Sequence, residues 1–116
     1  MDEKLVEEMA LHQYAFDRQV GRLLTRLVPQ TWKQIDLHVF AEWHPTHLEL
    51  CVEIESPEDH PIEEAPVTDE LKNVIELYVR MFKSYGQELA GIYIRMRQKP
   101  DGNWSYKIQY EGPEES

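Results

Sequence analysis

The chain has 116 residues, 41% hydrophobic and 29% charged, and a formal net charge of −10. That length fits one domain with its own core, and no apolar run approaches the roughly 18–20 residues that a membrane span needs. The acidic balance argues against nucleic acid or anionic lipid as partner, because phosphates are bound by Lys and Arg; the single Cys51 excludes an intramolecular disulfide, and the acidic, amphipathic start is unlike a secretory leader, so a cytoplasmic protein is expected.

Asp2 to Val28 reads as a long amphipathic helix. Leu5, Met9, His12, Phe16, Val20, Leu23 and Leu27 recur at steps of three or four and so share one face. Pro29 stops it. Two strands follow. In Trp32 to Glu42, Ile35, Leu37, Val39 and Ala41 alternate with polar residues; in Thr46 to Glu55, Leu48, Leu50, Val52 and Ile54 do the same. Trp43-His44-Pro45-Thr46 is the expected hairpin connection. Pairing Ala41 with Leu48 and Val39 with Leu50 would put both apolar sets on one side.

Ser56 to Val67 reads as a loop. It holds Pro57, Pro61 and Pro66 and the carboxylates Glu58, Asp59, Glu63 and Glu64. Thr68 is a good N-cap for a second helix, and Asp69 and Glu70 suit the positive end of its dipole. Leu71, Ile75, Tyr78, Phe82 and Tyr85 form its apolar stripe, and Gly86 is placed to end it. A second hairpin sets Ile92, Ile94 and Met96 against Trp104, Tyr106, Ile108 and Tyr110 across the turn Lys99-Pro100-Asp101-Gly102-Asn103.

The order is α-β-β-α-β-β. Each helix has one apolar stripe and each hairpin one apolar face. The expected fold is α+β, a four-stranded antiparallel sheet with two helices packed on one face. Residues 1–111 form a single domain in this reading, and 112–116 a flexible tail.

The net charge is local. Between Gln34 and Leu71 there is no Lys or Arg, and eleven carboxylates; the rest of the chain carries twelve basic and eleven acidic residues. Asp36, Glu42, Glu49, Glu53 and Glu55 fall on the uncovered face of the first hairpin, and Arg95, Arg97 and Lys107 on that of the second. Arg95 opposite Lys107 is unfavourable unless an acidic strand lies alongside, so the two hairpins are expected to adjoin. Much of the strand acidity then has a structural purpose. A localised acidic region also creates a directional field that attracts a basic partner.

Catalytic and metal chemistry find little support. His38, His44 and His47 lie around one hairpin and His60 among carboxylates, but His44 and His47 flank Pro45 in a turn, and no CxxC or HExxH occurs, so no metal is expected. Cys51 is expected to face outward beside His38, between Glu49 and Glu53, a setting that raises a thiol pKa rather than activating it. Paired carboxylates for acid–base work need a cleft, and here they lie on a flat face or a loop. No glycine loop cradles a phosphate, and no cofactor is expected. Phe40 breaks the alternation by pointing to the wet face, and Trp43 sits at the hairpin tip. Trp32, Trp104, Tyr78 and Tyr106 read as core. Aromatics beside carboxylates fit a protein interface with anchors and a charged rim.

The chain resembles the YezG-like immunity proteins, the antitoxins of bacterial polymorphic toxin systems. The likeness rests on the first helix ending in Leu27-Val28-Pro29-x-x-Trp32, the strand Ile35-x-Leu37-x-Val39 directly after it, a mid-chain helix, and the closing strand Gly102-x-Trp104-x-x-x-Ile108-x-Tyr110. The resemblance implies a small, non-enzymatic cytoplasmic protein that binds a cognate basic toxin domain, often a nuclease, and blocks it in a stoichiometric complex. On that reading Glu53, Glu55, Glu58, Asp59, Glu63 and Glu64 supply the acidic contact, with Trp43 and Phe40 as anchors. The alternative from another class is a small ligand-binding or regulatory α+β module with a concave pocket between helices and sheet.

Overall fold

The computed structural model describes residues 3–55, 57 and 65–112, with side chains from residue 7 onward. The elements are α1 (Glu3–Leu27), β1 (Gln34–Trp43), β2 (Leu48–Glu55), α2 (Asp69–Ser84), β3 (Gly91–Gln98) and β4 (Trp104–Glu111). The strands form one antiparallel sheet in the order β2-β1-β3-β4. The two hairpins adjoin, as expected from the Arg95–Lys107 pairing, and they do so through β1 and β3.

Period-two alternation sorts the sheet. Ile35, Leu37, Val39, Val52, Ile92, Ile94 and Met96 face inward and are buried with Val20, Leu23 and Leu24 of α1 and Leu71, Ile75, Tyr78, Val79 and Phe82 of α2. Trp32, Leu24, Ile35, Leu37, Leu71, Ile75 and Tyr78 are fully buried in the layer between helices and sheet. Thr68 caps α2, its hydroxyl accepting from the Leu71 N–H at 3.2 Å. At the other end Gly86 takes φ +84°. The Gln87 N–H donates to the Phe82 carbonyl at 2.9 Å and the Gly86 N–H to Lys83 at 3.0 Å, which satisfies two orphan carbonyls.

A polar chain crosses this apolar layer. The Gln13 amide donates to the Tyr110 hydroxyl at 2.5 Å, the Tyr110 and Tyr78 hydroxyls are 2.6 Å apart, and Tyr78 donates to Asp17 Oδ1 at 2.5 Å. Three elements are tied by it: α1, α2 and β4. Burial pushes the Asp17 carboxyl above its ordinary value, only partly offset by the Tyr78 hydrogen bond. Burial, with the bonds to Asp17 and Tyr110, drives the Tyr78 phenol far upward.

Several expectations need correcting. The first hairpin pairs Ala41 with Leu50 and Val39 with Val52, two residues from the expected register. A two-residue hairpin loop at His44-Pro45 would need positive φ at His44 and, in the commoner type, at Pro45 too. The pyrrolidine ring forbids the latter. The chain instead uses the four-residue loop His44–His47, and β1 runs on to Trp43. A shift of two leaves every side chain on its expected face. His12 is exposed rather than part of the buried stripe. With 25 residues α1 is about 37 Å long and outruns the roughly 27 Å of an eight-residue strand beneath it. Tyr106 is 43% exposed, because β4 is an edge strand with a neighbour on one side only.

Candidate functional site

The uncovered face of the sheet carries the candidate site. Across β2, β1, β3 and β4 its side chains form rows set by the register: Glu49–Glu42; Cys51–Phe40–Gly91–Glu111; Glu53–His38–Tyr93–Gln109; and Glu55–Asp36–Arg95–Lys107. Charge divides the face. Glu42, Glu49, Glu53 and Glu55 occupy one side, and Arg95, Arg97 and Lys107 the opposite corner, around a small recess.

Asp36 is the hinge of that division. It is only 6% exposed, although the sequence places it with the solvated carboxylates. Arg95 Nε and the Tyr93 hydroxyl both donate to its Oδ1 at 2.9 Å, and the Gln34 amide to its Oδ2 at 2.8 Å. The Arg95 guanidinium also donates to the Tyr93 oxygen at 2.9 Å. Burial alone would raise the Asp36 carboxyl. Hydrogen bonds from Arg95, Gln34 and Tyr93, with the Arg95 charge, outweigh it and hold the group below the ordinary carboxylate range. Asp36 therefore neutralises Arg95 from the side opposite Lys107, and most of its acceptor capacity is spent within the sheet.

The carboxylates of β2 differ. Among the described residues, no Lys or Arg lies within ion-pair distance of Glu42, Glu49, Glu53 or Glu55; the imidazoles of His38, His44 and His47 approach Glu55, Glu42 and Glu49. All four are exposed. Glu42 and Glu49 stand directly opposite each other, an arrangement that costs stability unless a positive group intervenes.

Between the acidic strand and Glu111 lies a shallow hollow of about 450 Å³, lined by His38, Phe40, Glu55, Tyr93, Gln109 and Glu111. Gly91 stands in the row between Phe40 and Glu111. A Cβ there would sit 2.8 Å from the Val39 carbonyl oxygen and 3.1 Å from Glu111 Oε2, so this close approach leaves no room for a side chain. Phe40 forms one wall and is 49% exposed. The His38 ring stands edge-on to Phe40 and to Tyr93, with centroids 6.1 and 4.5 Å away. An apolar wall between carboxylates is suited to the stem and head of a Lys or Arg side chain.

No protein-family model matches the sequence, and no curated protein matches it.

The expected site residues separate into three groups. Phe40, Glu53 and Glu55 lie together on the uncovered face. Trp43 does not join them. It points to the helix side, its indole N–H donates to the Leu89 carbonyl at 2.8 Å, and the Lys83 ammonium lies 5.2 Å from its ring centroid. It is a partly buried packing residue, with its one donor satisfied, on the face opposite Phe40. Glu58, Asp59, Glu63 and Glu64, like His60, lie outside the described residues. Cys51 is exposed and opposite Phe40 rather than His38, as the register shift dictates. The loop histidines, expected not to converge, do so: His44 and His47 both approach Glu49, and His44 also approaches Glu42. Gly91, Tyr93 and Glu111 were not singled out by the sequence. Tyr93 carries the signal of outward alternation with Arg95 and Arg97, but its place beside His38 depends on the β1–β3 register.

Proposed function

We propose that this chain is a cytoplasmic immunity protein that binds a cognate basic toxin domain, of nuclease type, and neutralises it without catalysis in a one-to-one complex. The observation that carries this reading is the row of exposed carboxylates Glu42, Glu49, Glu53 and Glu55, free of Lys and Arg partners among the described residues, beside the exposed Phe40. Such a surface offers a basic groove the charge that phosphate would bring, which speeds encounter and fixes orientation. Phe40 gives an apolar anchor within a charged rim. The acidic stretch continues in sequence through Glu58, Asp59, Glu63 and Glu64. Among the described residues, no helix is long and apolar enough to cross a membrane.

The test is purification of the tagged protein from its native host at low salt, with mass spectrometry of what accompanies it. A basic protein at equal stoichiometry, whose nuclease activity is abolished by one equivalent of this chain, is the expected result. The triple variant Glu49→Lys, Glu53→Lys, Glu55→Lys then slows association and flattens its salt dependence. A partner whose activity is indifferent to added chain, or no partner in toxin-producing cells, removes the reading. The ligand-binding alternative would use the hollow lined by His38, Phe40 and Tyr93.

A further inference from the structure

The loop between β1 and β2 is tightly built. The His44 N–H donates to the His47 carbonyl at 2.9 Å, which closes its base. Pro45 fixes the backbone between them. Two imidazoles are thereby delivered over the facing pair Glu42 and Glu49. Their rings are stacked at 4.4 Å and 13° from parallel, so one ring must turn about its Cβ–Cγ bond before both in-plane nitrogen lone pairs can reach a single ion. Both imidazoles address one oxygen: Glu49 Oε1 is 3.3 Å from His47 Nε2 and 3.6 Å from His44 Nε2. Glu42 Oε1 lies 3.7 Å from His44 Nε2. That nitrogen is shut off from solvent and has no hydrogen-bond partner among the described residues.

Ligand atoms at about 2.0–2.1 Å around a tetrahedral Zn²⁺ stand roughly 3.3–3.4 Å from one another. The distances of 3.3, 3.6 and 3.7 Å between imidazole nitrogens and carboxylate oxygens are close to that spacing. One donor atom each from His44, His47 and Glu49 can be chosen so that all lie within 4.8 Å of each other. The Thr46 hydroxyl stands 3.2 Å from His47 Nδ1. If it accepts the N–H there, the lone pair of Nε2 is left facing the carboxylates, the arrangement by which an outer partner orients a metal-binding histidine.

We propose that the β1–β2 loop is a divalent transition-metal site, in which His44 Nε2, His47 Nε2 and Glu49 Oε1 bind Zn²⁺ and Glu42 closes the fourth position. Two imidazoles with one or two carboxylates suit Zn²⁺, whereas Mg²⁺ and Ca²⁺ take oxygen ligands. The ion would also neutralise the Glu42–Glu49 pair, so binding pins the end of the β1–β2 hairpin. The site shares Glu42 and Glu49 with the proposed toxin-binding surface and leaves Glu53 and Glu55 to it, and metal binding is read without any partner.

The experiment is calorimetric titration of the full chain with zinc chloride at neutral pH, with cobalt(II) absorption as a second signal. One equivalent is expected to bind, with a rise in melting temperature and the intense visible band of tetrahedral cobalt. Glu49→Gln or His47→Ala is expected to weaken binding by at least ~10-fold, while the metal-free melting temperature stays close to that of the parent. Excess Mg²⁺ is expected not to compete. No saturable zinc binding overturns the proposal. So does binding of undiminished affinity in the double variant His44→Ala, His47→Ala, which would place the ion elsewhere on the chain.

Discussion

Replacing Asp36 with Ala is expected to lower the stability of the fold by about 2–4 kcal/mol. The carboxylate accepts three hydrogen bonds, from Arg95, Tyr93 and Gln34, at 2.8–2.9 Å, and is nearly buried. A hydrogen bond involving a charged group contributes about 1.5–3 kcal/mol, and breaking a fully buried ion pair costs about 3–5 kcal/mol. The Arg95 guanidinium keeps 41% of its surface in water and is rehydrated when its partner goes, which brings the loss below that upper bound. For a chain of this length the melting temperature falls by about 4 °C per kcal/mol, so a drop of roughly 8–16 °C is expected. Urea denaturation followed by circular dichroism reads the same change. Asp36→Asn retains acceptors for Arg95 and Tyr93 and is expected to lose less. The sign with pH follows from the lowered carboxyl. Its stabilisation is complete above the unfolded value of about 3.9 and is lost as pH falls through the native value. Acid unfolding of the parent should therefore be steeper than that of Asp36→Asn. A loss below about 0.5 kcal/mol in Asp36→Ala, the range of ordinary surface changes, would refute the account of Asp36 as the structural acid of this face.

Three further outcomes are open to the same assays. Gly91→Ala places a Cβ 2.8 Å from a backbone oxygen and is expected to destabilise by about 1–3 kcal/mol, measured by thermal melting. Asp17 has the opposite pH sign to Asp36: its raised value means stability is full below about 3.9 and declines as pH climbs through the native value. Asp17→Asn keeps an acceptor for the Tyr78 hydroxyl, and denaturant midpoints across pH are expected to show it equal to or more stable than the parent at neutral pH, with that decline removed. Thr68→Ala is expected to cost about 1 kcal/mol by loss of the cap to Leu71, with hydrogen exchange accelerated in the first turn of α2.

Periodicity carried the architecture because each element had one apolar side. The 3.6-residue stripe of α2 and the alternation of Ile92, Ile94 and Met96 against Tyr110, Ile108 and Tyr106 read through to the structure directly. That the two hairpins adjoin was also legible, from the need of Arg95 and Lys107 for a nearby carboxylate. Which carboxylate answered was not. Asp36 and Glu53 look alike in sequence, and only the register sets one under Arg95 and the other beside His38. Trp43 follows the alternation of β1, but its position next to the turn concealed that the strand extends through it. Gly91 was silent because its meaning lies in the absence of a Cβ opposite Phe40, a relation between strands over fifty residues apart. The meeting of the loop histidines likewise depended on a four-residue loop that Pro45 imposes.

Strand β2 lies at the rim of the sheet, where unpaired backbone groups invite another chain to add a strand. Two copies of this protein meeting there would bring Glu49, Glu53 and Glu55 of each within a strand spacing of about 4.8 Å of the other's carboxylates. Self-recruitment at this rim works against its own charge, and the penalty deepens as salt is diluted. A strand studded with Lys or Arg meets no such barrier. The same three glutamates that guard the protein from its own copies leave the rim open to strangers of the opposite sign.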